Sequence, residues 1–134
     1  MSQDRKVVRT RDVMTGEFVM IDGLMTVQEA LKIFQAENAR VLIINKRHDD
    51  DEYGLLLLSD IAKKVVAQDR SPERVNVYEV MAKPVISVDP HMDIRYCSRL
   101  FENFGLAHAP VIENDQVLGI VSYRSIVLKG LLGS

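Results

Sequence analysis

Apolar residues along this chain follow two periods. Val41–Ile44 and Leu55–Leu58 are continuous apolar runs, the length of a strand rather than of a helix. Val27, Ala30, Leu31 and Phe34 recur three and four apart, and so do Ile94, Cys97, Leu100, Phe101 and Phe104; this is the stripe of a helix with one buried face. Thr26 and Asp93 stand just before these stripes, where a short polar side chain caps the first backbone N–H groups. Read in order, the pattern predicts an extended segment over 18–21, a helix opened by Thr26, strands over 41–44 and 54–58, and a helix over 60–67. It then predicts an extended segment over 85–88, a helix opened by Asp93, and strands over 109–112 and 117–122. The polar turn Glu113-Asn114-Asp115-Gln116 joins those strands, and a helix over 124–132 follows. Residues 68–75, with Ser71-Pro72, read as a linker.

The second half of this list repeats the first. Asp12-Val13-Met14 meets Glu79-Val80-Met81 at an offset of 67 residues, and at the same offset Asp22 meets Asp89, Met25 meets Met92 and Phe34 meets Phe101. Gly54-Leu55-Leu56 then meets Gly119-Ile120-Val121 at an offset of 65, so the first polar turn, Lys46–Glu52, carries two extra residues. A length change confined to a turn is what a duplicated fold tolerates. Two copies are too few for a solenoid. The reading is a β-α-β-β-α unit twice over, residues 9–67 and 76–132. The strands are apolar nearly throughout rather than alternating, so both faces of each sheet are expected to be covered and neither half to be stable alone.

Composition narrows the function. The chain has 134 residues, 47% apolar and 27% charged, with a net charge of −2, and shows no basic excess for a nucleic-acid partner. Cys97 is the single cysteine, which points to a reducing compartment. The polar start, Met1 to Lys6, is followed by no apolar signal core, and no run approaches a membrane span. A cytoplasmic location is the expectation. No P-loop, Gly-x-Gly-x-x-Gly, nucleophile elbow or zinc-ligand spacing occurs, so the chain reads as a non-enzyme. The acidic run His48-Asp49-Asp50-Asp51-Glu52 lacks the glycine and spacing of a calcium loop and reads as a solvated turn.

The β-α-β-β-α order and the paired openings carry a family resemblance. So do Gly105-Leu106-Ala107-His108-Ala109-Pro110-Val111 and the Leu118-Gly119-Ile120-Val121-Ser122 that follows. Together these resemble the CBS (cystathionine-β-synthase-type) domain family over about residues 9–132. The resemblance implies an α+β fold in which two repeats pack sheet to sheet about an approximate twofold axis. It also implies clefts between the repeats, no required cofactor, and AMP, ADP, ATP, NAD or S-adenosylmethionine as possible ligands. It further implies a disc-like homodimer that acts on an effector protein the sequence does not name, with neither nucleic acid nor membrane as partner.

The family's ligand motif resembles Gly-h-h-Thr/Ser-x-x-Asp, h being apolar. Its carboxylate accepts hydrogen bonds from ribose hydroxyls and its hydroxyl donates to a phosphate. This chain divides the motif. The first copy keeps Asp60 but has Leu57 at the hydroxyl position, with Ser59 a register away. The second keeps Ser122 but has Ser125 in place of the acid, with Arg124 beside it. Thr15, Lys83 and Pro84, and His108, Ala109 and Pro110, complete the candidates the resemblance supplies. Each has an ordinary structural reading as well. Asp60 equally begins a helix, Ser122 equally caps one, Arg124 equally lies in solvent, and His108 equally packs as a core residue. Two functions stay open: a sensor for an adenosine-containing ligand, and a ligand-free dimerisation or scaffold module with degenerate clefts.

Overall fold

A computed structural model describes residues 6–133; the polar stretch before Lys6, read above as lacking a secretory signal, lies outside the described residues. In chain order the elements are helix α1 (Thr10–Val13), strand β1 (Met20–Ile21), helix α2 (Val27–Ala36), strands β2 (Val41–Ile44) and β3 (Gly54–Leu57), and helix α3 (Leu58–Ile61). Then come helix α4 (Ile94–Phe104), strands β4 (His108–Glu113) and β5 (Gln116–Ser122), and helix α5 (Tyr123–Leu132). Secondary structure is thus mixed; the first copy has the expected order, and the second has it except that the segment over 85–88, expected as a strand, makes a single bridge at Val88.

Local chemistry accounts for the element ends. Thr26 and Glu29 form a reciprocal capping box, each side chain accepting the other's backbone N–H at 3.1 and 3.0 Å. Asp93 caps α4 by accepting the Arg95 N–H at 2.8 Å and is bridged by the Arg95 guanidinium at 2.7 Å; that guanidinium draws its carboxyl down to about 2. Gly105 ends α4 at φ 65°, a left-handed cap that glycine takes without cost. Asn114 and Asp115, both at positive φ, turn β4 into β5, as a two-residue hairpin loop requires.

The chain forms two compact units, and these divide it differently from the sequence repeats. One is Phe18–Val85; the other joins the stretch ending at Glu17 to the stretch beginning at Ile86. In the first unit β1 pairs parallel with β2, and β2 antiparallel with β3. Ala82 and Leu55 exchange two hydrogen bonds of 2.9 Å, which adds the opening segment of the second copy to β3. In the other unit β4 pairs antiparallel with β5, and Val88 bridges β4 in parallel at Val111. Thr15 and Ile120 exchange hydrogen bonds of 2.9 and 3.0 Å, which adds the opening segment of the first copy to β5. Each sheet is therefore completed by the other copy's opening.

Two glycines make these approaches possible. A Cβ on Gly119 would collide with the Thr15 carbonyl oxygen and lie 3.1 Å from the Met14 Sδ. A Cβ on Gly54 would lie 2.7 Å from the Met81 Sδ and 3.1 Å from the Ile44 Cβ.

The core of Phe18–Val85 gathers Val27, Ala30 and Phe34 of α2, Leu42, Ile44 and Leu56 of the sheet, and Ile61 and Val65. Val75, Val77 and Val80 close it. Residues 68–75 are thus more than a tether. Pro72–Arg74 makes a 3₁₀ turn, the Val75 carbonyl accepts the Val27 N–H at 2.8 Å, and the Val75 side chain is buried. All four residues of β2 are buried, so both of its faces are covered, as its unbroken apolar run implies. In the other unit Val13, Val88, Cys97, Phe101, Ala109, Val111, Val121 and Ile126 form the core.

Candidate functional site

Strand β3 runs directly into α3, and β5 into α5, so each unit has one strand-to-helix junction. At the first, Leu57 is the cap residue and Asp60 the third helical position. The Asp60 Oδ2 accepts the Leu57 N–H at 2.9 Å, and its Oδ1 accepts no hydrogen bond from the described residues. Asp60 is half-buried, Ser59 is exposed, and Leu58 is 48% exposed. Helix α3 is one turn long and widens into a π-turn over Ala62–Val66.

At the second junction the two serines satisfy each other. The Ser122 Oγ accepts the Ser125 N–H at 3.1 Å, and the Ser125 Oγ accepts the Ser122 N–H at 3.0 Å and donates to the Ser122 carbonyl at 3.1 Å. Arg124 is exposed. His108 stands opposite Ser122 in the strand register, and Thr15 opposite Ile120, so Thr15, His108, Ser122 and Ser125 share one end of this sheet. Ala109 and Pro110 are buried in β4; the Pro110 carbonyl accepts the Val88 N–H at 3.0 Å.

Both junction positions thus have a capping role. Asp60 and Ser125 occupy equivalent places and each binds the backbone N–H three residues back. Asp60 differs in keeping a carboxylate oxygen in reserve.

Lys83 and Pro84 lie elsewhere. The Ala82–Leu55 pair is antiparallel, so Lys83 runs toward Gly54 and the hairpin turn, away from α3. The way back to Leu58 from Leu55 is three extended residues, about 10 Å. The Lys83 Nζ is 2.6 Å from the Asp51 Oδ1. Asp51 also accepts the Arg47 N–H at 2.8 Å, and the Lys83 ammonium holds its carboxyl well below the usual range. The Lys83 ammonium is thus held in an ion pair at the turn end of β3, and Lys83 and Pro84 do not lie beside Asp60 and Ser59. Asp51 is the partner that sequence reasoning passed over as part of a solvated run. The one hint was the two extra residues of its turn.

Other candidate chemistry is quiet. Cys97 is buried, and burial pushes its thiol upward, away from the reactive thiolate. Among the described residues no group of three or more His, Cys, Asp or Glu is arranged to hold a metal ion, and no helix is long and apolar enough to cross a membrane.

The family model for the CBS domain matches residues 11–67 and 77–130, most of the chain in two copies. The chain belongs to the CBS domain family. A hexameric CBS-CP12 protein from bloom-forming cyanobacteria is 38% identical and superposes with a TM-score of 0.88, over 92% of this chain and 71% of that one. An uncharacterized protein of Methanopyrus kandleri is 29% identical over 121 residues, 90% of this chain; the CBS pair spans 59% of that relative's length. The CBS domain pair of protein MJ0100, solved in complex with 5′-methylthioadenosine and S-adenosyl-L-methionine, superposes with a TM-score of 0.80 over 96% of this chain and 98% of that one. At 22% identity this last likeness is one of fold.

Proposed function

We propose that this CBS pair is a regulatory sensor, cytoplasmic and without a catalytic step of its own, that binds an adenosine-containing ligand through Asp60. The observation that carries the reading is the reserved oxygen of that carboxylate. One oxygen is fixed by the Leu57 N–H, which aims the group, and the other accepts no hydrogen bond from the described residues. A carboxylate so placed accepts hydrogen bonds from ribose hydroxyls. The adenosine ligands in the structurally similar MJ0100 pair support the same class. Binding regulates an effector only if the ligand prefers one arrangement of the module over another.

A thermal-shift series with AMP, ADP, ATP, NAD and S-adenosylmethionine tests this. A ligand at a hundred times its dissociation constant adds about 2.7 kcal/mol of stability. Asp60→Ala abolishes that gain, while costing roughly 1 kcal/mol of fold stability through the lost cap. Silence with all five ligands rejects the sensor.

The second reading, a ligand-free scaffold, is favoured by the other junction, where Ser122 and Ser125 satisfy each other. Both readings include self-association. Helix α5 leaves Leu131 and Leu132 77% and 78% exposed beside Val127 and Leu128, more apolar surface than a monomer gains by showing to water. The hexameric cyanobacterial relative supports an assembly of copies. Sedimentation equilibrium is expected to return a dimer at micromolar concentration; a monomer there would remove self-association from both readings.

A further inference from the structure

Strands β1 and β2 are parallel, so their carboxyl ends lie side by side. The chain diverges where parallel strands end, and α/β sheets use such crevices for ligands. Here the crevice has a volume of about 380 Å³, with Met20, Ile21 and Leu24 as its apolar lining and Asp22, Asn45 and Arg47 as polar lining. It stands at the opposite end of the sheet from the Asp60 junction, since Ile44 pairs with Gly54 and Val41 with Leu57.

Both walls are held in place by the rest of the unit. The Asp22 Oδ1 accepts the Leu24 N–H at 2.8 Å. The Gly23 carbonyl accepts the Tyr78 N–H at 3.0 Å, and the Leu24 carbonyl accepts the Asn76 Nδ2 at 2.8 Å. On the other wall the Asn45 N–H donates to the Ile21 carbonyl at 2.9 Å, and Asp51, anchored by Lys83, accepts the Arg47 N–H at 2.8 Å. The charges of the crevice, by contrast, are unspent. The Asp22 Oδ2 accepts no hydrogen bond from the described residues, the Arg47 guanidinium makes none to them, and the two do not pair with each other. Leu24 is 58% exposed.

The second copy is an internal control. At the offset of 67, Asp22, Leu24 and Lys46 correspond to Asp89, His91 and Glu113. There the His91 Nδ1 lies 3.1 Å from the Asp89 Oδ1 and 3.4 Å from the Glu113 Oε2, so the copy's own side chains span the place. In the first copy a leucine stands where the histidine would reach across. The Lys46 ammonium is drawn off to the Asp49 carbonyl at 3.3 Å and lies 5.4 Å from the Tyr53 ring centre. One copy thus closes this place with its own side chains, and the other leaves it open with a carboxylate and a guanidinium in its lining.

We propose that the crevice at the carboxyl ends of β1 and β2 binds a free α-amino acid with an apolar side chain. A simple anion there meets the Asp22 carboxylate, and a simple cation meets Arg47; a zwitterion satisfies both. Its carboxylate takes the guanidinium fork, and its ammonium donates to the Asp22 Oδ2. Its side chain covers Leu24. The volume lies near the lower end of the range for small-molecule sites, about 300–1,000 Å³, which suits a ligand of this size. The site is separate from Asp60 and does not depend on ribose binding there.

Amide NMR titration of the full chain tests this with ligands that each lack one group of L-leucine. L-Leucine is expected to give saturable shifts at residues 20–24 and 45–47. Isocaproate, which lacks the amine, isoamylamine, which lacks the carboxylate, and glycine, which lacks the side chain, are each expected to bind about tenfold more weakly. Asp22→Asn keeps the oxygen that accepts the Leu24 N–H and removes the charge; it is expected to weaken leucine binding about tenfold, as is Arg47→Gln. Isocaproate or glycine binding as tightly as leucine overturns the proposal. So do leucine shifts that lie away from these residues, and so does the absence of saturable shifts up to the solubility of leucine. The ligand series uses the unaltered chain, so a variant that fails to fold leaves the result readable.

Discussion

Gly119→Ala is expected to lower the melting temperature by about 10 °C or more. The added methyl has nowhere to go. Its Cβ meets the Thr15 carbonyl oxygen, a backbone atom that is itself held by the Ile120 N–H at 3.0 Å. Relief requires parting the opening segment from β5, which forfeits two hydrogen bonds of about 1 kcal/mol each and part of the packing of Val13 beneath them. Overpacking of this kind costs about 1–3 kcal/mol and more where backbone must move. At about 3 kcal/mol the shift for a chain of this size is about 10 °C. Two further glycines grade the effect. Gly54→Ala meets first the Met81 thioether, a side chain that can swing aside, and is expected to cost less. Gly16→Ala meets nothing within 4 Å and is expected to be neutral. Calorimetry of the three variants checks the ranking; a Gly119→Ala protein that melts with Gly16→Ala would contradict the close approach.

A fragment of residues 9–67, the whole first sequence repeat, is expected to show no cooperative unfolding. It lacks Ala82, the partner of Leu55, and Val75, Val77 and Val80, which are at most 2% exposed in the chain. Burying three valines is worth about 5–9 kcal/mol, comparable to the entire stability of a small domain. Shifting the fragment to residues 18–85 drops residues 9–17, restores all four residues and is expected to restore a cooperative transition. Urea titration followed by circular dichroism distinguishes the two, and equal behaviour of both fragments would show that the crossing segment is dispensable.

Most of the elements were legible because their causes are local. The Thr26–Glu29 box, the Asp93 cap and the Asn114-Asp115 turn act over two or three residues. The Val85–Val88 segment was expected as a strand and is a single bridge at Val88; Pro84 and Pro90 bracket it and supply no N–H. The π-turn after α3 was invisible, since Ile61 and Val65 are four apart and keep helical spacing. The assignment of each opening segment to the opposite sheet was also hidden. Similarity places Thr15 in the first copy, whereas its backbone hydrogen bonds go to Ile120 of β5, over a hundred residues away. At the site, the motif reading located Asp60 and Ser122 correctly at strand-to-helix junctions. It did not foresee the ion pair of Lys83 with Asp51, which depends on how far a longer turn reaches.

The exchanged openings also order events as the chain leaves the ribosome. Phe18–Val85 has all its strands once Val85 is clear, and can close then. The residues before it cannot: Thr10 waits for Met92, and Thr15 waits for Ile120 in β5. At translation speeds of roughly 5–20 residues per second, that leaves the segment before Phe18 without its partner for seconds. Its Val13 and Met14 stay unshielded in that interval, so newly made chains carry a hazard that the finished protein does not show.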